Sequence, residues 1–421
     1  LKFKNDKALA KFVSEQLGGT LWLVGGAVRD LHMNKTPHDK DYVITGVDVQ
    51  YIPFEHIVGS KFPVFLVKID GKTCEVALAR TEQKSGVGYH GFTFHSDKGI
   101  SIQQDLGRRD LTINAMAINV ATGDLVDPYN GVHDISNGVI RHTRMAFAED
   151  PLRVYRVARF SAQFGFRIHH ETLALMKCMK SELRYLSAER VWQETLKALG
   201  CDNSRRFFEV LKEADVLDVH FQAIDALNVP DMHDGTVFNH TMNLINMGAT
   251  PIERFMLLVH DIGKGVTGSN TKNNEPYRKG THYKHAERGE WETHILCQNL
   301  KTPNLYRDAG VLSASQHMRI KNITEMRPGK ILKWLLPMKE TNAKALLRVS
   351  FIDSLCRVHT DEEYADILSW WCRAGLIIDA VFQIEKEVTG ASLIAEGVEP
   401  GQRLGQMLLQ RRIERLKEII I

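Results

Sequence analysis

Between residues 21 and 140 the hydrophobic positions come in short β-branched runs: LWLVGG, DYVITG, FPVFLVKI, EVALAR and LVDPYNG, each ended by glycine, proline or a charge. Runs of that length and composition predict strands. One stretch among them, LTINAMAINV at 111–120, spaces its apolar residues helically and predicts a helix. From about residue 142 the strands stop, and apolar residues recur at helical intervals, as at Leu152, Tyr155, Val157 and Phe160 and again at Leu173, Leu175 and Met176. The fold class that follows is α+β, a mixed head and a helical remainder. Turn chemistry in DALNVPDMHDGT at 225–236 marks a boundary, and the Gly/Asn-rich stretch at 265–281 a surface loop. The last twelve residues, QRRIERLKEIII, predict a basic amphipathic helix over a small apolar seam.

Composition narrows the class. The 421 residues are 43% hydrophobic and 25% charged, ordinary for a soluble chain with several domains and ample cores. No apolar run approaches a membrane span, and LKFKNDKALAKF at the start lacks the features of a signal peptide, so a cytoplasmic protein without a membrane partner is expected. Six cysteines, Cys74, Cys178, Cys201, Cys297, Cys356 and Cys372, contain no C-x-x-C pair and read as buried free thiols. The net charge of +3 is too small to argue for a nucleic-acid partner. Its distribution says more, since residues 141–170 carry six arginines against two acids, a balance that favours phosphate contacts.

Candidate chemistry begins at HDKDYVI, residues 38–44. Strand side chains alternate, so Asp39 and Asp41 share a face while Lys40 turns away. Two carboxylates roughly 6 Å apart repel by about 3 kcal/mol at an effective dielectric near 20, so the pair needs open water or a cation. Upstream, LWLVGGAVRD runs from a strand through Gly25 and Gly26 into a helix, where backbone N–H groups can approach an anion and Arg29 adds charge. Phosphate-binding turn and carboxylates together suggest phosphoryl or nucleotidyl transfer. Glu75 stands between a third carboxylate and an edge salt bridge. Asp110 either caps the helix expected after it or leaves the neighbouring Arg109 to meet a triphosphate or sugar. In EDPLR at 149–153, Asp150 reads as an N-cap, yet Asp150 and Arg153 also share a helix face. An acceptor beside a planar fork of donors suits the Watson–Crick edge of cytosine. Arg156 and Arg159 continue on adjacent turns.

Taken in order, GGAVRD, the Asp39/Asp41 pair, DLGRRDLTINAMA, DPYNG and EDPLRVYRVARF resemble the class II CCA-adding enzymes, the tRNA nucleotidyltransferases, over about 140 residues. CEVALARTEQKSGVGYHGF at 74–92 looks like the strand and flexible loop of the enterobacterial form. The resemblance implies ATP and CTP as substrates, tRNA as acceptor, Mg2+ held by Asp39 and Asp41, and nucleotide contacts from Gly26, Arg29, Arg109, Asp150, Arg153, Arg156 and Arg159. It also implies a nucleotidyltransferase head over 1–140, a helical neck and body with the nucleotide-selecting motif over 141–225, a phosphohydrolase domain over 226–360 and a helical tail over 361–421. A monomer or homodimer is expected.

In the helical half, LLVHDIGKG contains adjacent His260 and Asp261, preceded by His240 and followed by His285, His317 and Asp353. Asp353 lies in the otherwise apolar VSFIDSL, where an unpaired carboxylate is costly. The order H…HD…D resembles the HD phosphohydrolase superfamily, which implies a divalent metal on His240, His260, Asp261 and Asp353, with His285 and His317 as phosphate contacts. Imidazole ligands admit a transition metal such as Ni2+. In the enterobacterial enzymes such a domain carries phosphatase, 2′-nucleotidase and 2′,3′-cyclic phosphodiesterase activity. KGTHYKHAERG at 279–289 departs from the more histidine-rich segment of that form, as does the extended stretch before LWLVGG. Two other readings are a bacterial poly(A) polymerase, which has a similar head, and an HD phosphohydrolase whose head only binds RNA.

Overall fold

The β-branched runs of the N-terminal half pair into one eight-stranded sheet. Across it lie Lys2–Phe3, Val64–Ile69, Lys72–Leu78, Asp41–Thr45, Thr20–Val24, Ala117–Asn119 and Leu125–Val126, with Ile57–Val58 added beside Val64–Ile69. Two pairings are parallel, Lys2–Phe3 with Val64–Ile69 and Asp41–Thr45 with Lys72–Leu78, and the others antiparallel, so the sheet is mixed. The computed structural model describes residues 1–53, 57–58, 63–84, 92–95, 97–231, 235–267, 282–357 and 360–420. The loop expected at 265–281 and the flexible segment expected within 74–92 lie largely outside the described residues.

Helix Asp6–Leu17 covers one face of the sheet. Asn5 starts it by accepting the Ala8 N–H at 2.9 Å, and Leu9, Ala10 and Val13 meet Leu21, Tyr42, Ile44, Phe65, Val67 and Val76 in a buried cluster. Each such aliphatic contributes about 1.5–3 kcal/mol through burial.

Three expectations are corrected. No helix forms at 111–120: a short 3-10 turn, Thr112–Asn114, gives way to the strand Ala117–Asn119, which pairs with Thr20–Val24. Leu111 to Ala117 are all buried, so their apolarity reflects enclosure on every side and carries no period. Strands do not stop at 142, because Arg167–Ile168 pairs in parallel with Val139–Ile140. The cysteines are all free, but only Cys74 and Cys297 are buried, while Cys178 and Cys372 are exposed.

Residues Leu1–Val219 form one unit and His220–Ile421 a second, built of helices among its described residues. In the second, Val237–Ile245, His285–Leu300, Asn304–Lys321 and Glu340–Leu355 carry His240, His285, His317 and Asp353, and the turn after Pro251–Val259 carries His260 and Asp261. Thr236 and Thr250 cap the first two by accepting the N–H groups of Asn239 and Glu253. The terminal helices Asp361–Glu387 and Gln402–Ile420 pack with Ile331, Leu332 and Leu335, the first contributing Ile378 and Val381 and the last burying Leu416 as its apolar seam. Asp361–Glu387 also corrects the membrane-span reading: it is long and apolar enough to cross a bilayer, with a mean hydropathy of 1.3 in its most apolar window. Its Ala374, Ile377, Ile378, Val381 and Ile384 are buried within the unit.

Candidate active site and metal cluster

Strand register assembles the head site. Asp41 lies opposite Val24 on one side and opposite Glu75 on the other, so the Gly25 turn and both carboxylates meet at one end of the sheet. Gly25 sits at φ 68°, ψ −131°, and a Cβ there would come 2.9 Å from Arg109 Nη1; glycine alone admits both the conformation and the guanidinium. The strand begins at Asp41, so Asp39 and Lys40 precede it and strand alternation does not set their directions; Lys40 pairs with Asp6 Oδ2 at 2.5 Å. Asp39 is 86% exposed and, among the described residues, takes only the imidazole Nδ1 of His38 at 3.0 Å. Desolvation pushes the Asp41 carboxyl above its usual range, Arg109 works against that, and Asp39 adds to it. An open, under-neutralised pair of hard oxygens fits magnesium.

Arg109 is aimed by buried Asp105, whose Oδ2 accepts from Arg109 Nη2 at 3.2 Å while Oδ1 pairs with Arg108 Nη2 at 2.8 Å. Asp110 caps no helix, since none follows. It is instead a buried hub, accepting from the Leu111 N–H at 2.9 Å, Asn114 Nδ2 at 3.2 Å and Arg156 Nε at 2.7 Å. Burial pushes its carboxyl up, but Arg156 outweighs burial and holds it at about 2. Gly26 opens the Gly26–His32 helix. Arg29 is clamped: Nε and Nη2 donate to Asp30, Nη1 donates to Asn114 Oδ1 at 2.7 Å, and its Cζ lies 4.7 Å from the Phe164 ring centre.

Around helix Leu152–Phe164 the residues expected to select the nucleotide are held fast. Asp150 is not the N-cap, a place taken by Pro151, but lies two residues before the helix; its Oδ1 accepts the Leu152 N–H at 3.1 Å and its Oδ2 accepts from Arg190 at 3.1 Å. Arg153 donates to the carbonyls of Ala146 at 2.7 Å and Arg108 at 2.6 Å. Arg159 pairs through Nε with buried Glu194 and stacks over Phe160 at 3.9 Å. Arg190 and Glu194, both on Ala188–Leu199, escaped the sequence reading. Their only signal is opposite charge four residues apart on an amphipathic helix, a pattern shared with solvated faces.

In the second unit the predicted ligands converge. His240 Nε2 lies 3.0 Å from Asp353 Oδ1, and His260 Nε2 lies 3.7 Å from the same oxygen and 3.2 Å from Asp261 Oδ2. His285 and His317 come within 3.4 Å of Asp261 Oδ1. All but His285 are 2% exposed or less. Burial opposes charge on His260, but Asp261 and Asp353 override it and hold the imidazole up at about 9. Both carboxyls lie well below their usual range: burial raises them, and the His260 pairing, with Lys264 on Asp261 and with His240 and Lys321 on Asp353, prevails. His260 Nδ1 donates to the Leu257 carbonyl at 2.7 Å, while buried Nε2 lacks a well-formed hydrogen bond among the described residues. A histidine oriented by a backbone carbonyl, with its other nitrogen facing two carboxylates, has the placement of a transition-metal ligand.

Residues 21–141 match the Poly A polymerase head domain family, and residues 165–227 the family described as probable RNA and SrmB- binding site of polymerase A. The chain is 36% identical to the Multifunctional CCA protein of Nitrosococcus oceani, over 95% of this chain and 98% of that protein. It is 38% identical to the protein of the same name from Shewanella frigidimarina, over 93% and 95%. Among solved structures it resembles the Thermotoga maritima CCA-adding enzyme complexed with tRNA, with a TM-score of 0.65 at 19% identity, covering 99% of this chain and 94% of that one. The Bacillus stearothermophilus CCA-adding enzyme in complex with CTP gives 0.63 at 22% identity, covering 95% and 89%. These two likenesses carry the fold.

Proposed function

The chain belongs to the multifunctional CCA proteins, CCA-adding tRNA nucleotidyltransferases, and from that premise we propose that it adds C, C and A to tRNA 3′ ends from CTP and ATP at the head site. The observation carrying this reading is the sheet register that brings Asp41 beside the Gly25 turn and Glu75, with Arg109 against the same glycine. Magnesium, when held by Asp39 and Asp41, supplies charge neutralisation for the leaving pyrophosphate and activation of the attacking hydroxyl. Arg109, oriented by Asp105, binds the triphosphate, and the Gly25–Gly26 backbone lies close beside it. Asp150 and Arg153 read the base edge. Each is fixed by neighbours, Arg190 and the Leu152 N–H for one and two carbonyls for the other, which leaves a rigid acceptor–donor template. Such a site discriminates because a mismatched edge leaves polar groups unpaired.

Asp39→Asn and Asp41→Asn are expected to abolish incorporation of both labelled CTP and labelled ATP while tRNA binding, read by filter retention, stays within about threefold of wild type, since neither carboxylate attracts phosphate. Normal turnover in either variant would remove the assignment.

A second activity is supported by the buried His240, His260, Asp261 and Asp353 cluster: metal-dependent hydrolysis of phosphoesters, including 2′,3′-cyclic nucleotides. A divalent ion such as Ni2+, when held there, supplies Lewis-acid polarisation of the phosphoryl group. Lys321 and Arg357, on the Asp353 carboxylate, keep positive charge beside that centre.

A further inference from the structure

The stretch ahead of LWLVGG, a departure from the enterobacterial form, is folded onto the strand that carries Asp41. Lys2–Phe3 pairs in parallel with Val64–Ile69 at the edge of the sheet, Asn5 caps the helix Asp6–Leu17, and the Phe3 and Phe12 ring centres lie 5.4 Å apart. Leu9, Ala10 and Val13 of that helix pack with Tyr42 and Ile44 of strand Asp41–Thr45. Beyond the helix, a Cβ on Gly19 would come 2.7 Å from the Thr45 carbonyl and would also strike Val47. Only glycine lets the chain leave the helix that close to the end of the strand. The helix is thus tied to both ends of the strand, and its first residue, Asp6, lies at the mouth beside Lys40.

There Asp6 Oδ2 accepts from the Lys40 ammonium at 2.5 Å. Lys40 stands between Asp39 and Asp41 in the chain, and a compact charge on a flexible four-carbon stem reaches a carboxylate one residue away on either side. Strand alternation does not hold it off, because the strand starts only at Asp41. We infer that Asp6 is a positioning residue for nucleotidyl transfer: by holding the Lys40 ammonium it keeps that charge off Asp39 and Asp41 and leaves both carboxylates open to magnesium. The inference rests on the reading of Asp39 and Asp41 as the magnesium ligands.

Charge and exposure favour this role over a purely structural one. The Lys40 and Asp6 side chains are 41% and 31% exposed, and ion pairs that open to water add little to stability. Asp39 is far more open, so an ammonium released by Asp6 finds it within reach. Arg109 already acts on Asp41, and a second cation on Asp39 would leave the two carboxylates no net charge to offer a metal ion. An entering divalent ion would then have to displace the lysine before it bound. Paired with Asp6, the same lysine is neutralised away from the site.

The test titrates the full chain with Mn2+ in place of magnesium and reads the free ion by electron paramagnetic resonance. The head's share is the difference from protein carrying Asp39→Asn and Asp41→Asn. Asp6→Asn is expected to weaken Mn2+ binding at the head about three- to fivefold, the size of competition from an exposed ion pair. Lys40→Gln, which leaves no ammonium to hold, should bind within about twofold of wild type, and adding it to Asp6→Asn should restore that level. Incorporation of CTP should follow the same pattern, as a raised Mg2+ requirement with an unchanged rate at saturation. A merely structural pair gives a different result: Lys40→Gln weakens binding as much as Asp6→Asn, and the double variant recovers nothing. That result would overturn the inference, as would an Asp6→Asn protein that binds like wild type or one that fails to fold by circular dichroism. Mn2+ binding unaltered by Asp39→Asn and Asp41→Asn would instead overturn the magnesium reading of the head.

Discussion

Asp110 shows how one residue joins the head to the helix that follows it. Its folded value of about 2 lies below the ordinary 3.8 because the Arg156 pair outweighs burial. A depressed carboxyl contributes stability that is present above its unfolded value and lost as pH falls toward the folded one, here between about pH 4 and pH 2. The difference is worth about 2 kcal/mol. Arg156→Leu should therefore be less stable than wild type at pH 7 by about that amount, and the gap should close on acidification to pH 2. Urea unfolding at several pH values measures it, and a gap independent of pH would show that Asp110 is not held by Arg156. The sequence made Asp110 and Arg156 visible as charged residues in arginine-rich segments. It could not show that they meet, because 46 positions separate them and no periodicity links them.

At the scale of elements, helix Leu152–Phe164 was legible from its apolar spacing and its Asp-Pro start, and the strand mouth at Asp41 from its β-branched run. Leu111–Val120 was not. Enclosed on all sides, its first seven residues are uniformly buried, and the competition between helix and strand was decided by pairing with Thr20–Val24. Arg29 illustrates the same limit. Its place after a glycine turn suggests a phosphate contact, whereas its guanidinium is engaged by Asp30 and Asn114 and stacked on Phe164, so it fastens the Leu152–Phe164 helix to the head. Arg29→Ala is expected to cost about 2–4 kcal/mol in urea unfolding, from a lost cation–π contact and stranded polar partners. Unchanged stability with a raised KM for CTP and ATP would return Arg29 to the nucleotide.

Two chemistries are proposed, one on each unit, and each was readable in proportion to how unusual its residues are where they stand. Histidines and aspartates amid apolar runs stand out, so the H…HD…D set could be picked from the chain; His240, His260 and Asp353 form one group, while Asp261 groups with His285 and His317. The approach of His285 and His317 to Asp261 could not, because it depends on how helices His285–Leu300 and Asn304–Lys321 meet the turn after Pro251–Val259, which no single sequence reveals. Likewise, Glu75 became a neighbour of Asp41 only through parallel register. The central claim is that the head builds a defined trinucleotide without a nucleic-acid template, and the most direct measurement is the sequence of its product. Full-length protein is given a tRNA lacking its three 3′ nucleotides together with CTP and ATP, and the extended ends are sequenced. The account predicts C, C, A and then arrest, with the same product from a His260→Ala, Asp261→Ala double variant that hydrolyses no cyclic nucleotide. A run of adenosines, or no extension by a folded protein, would contradict it.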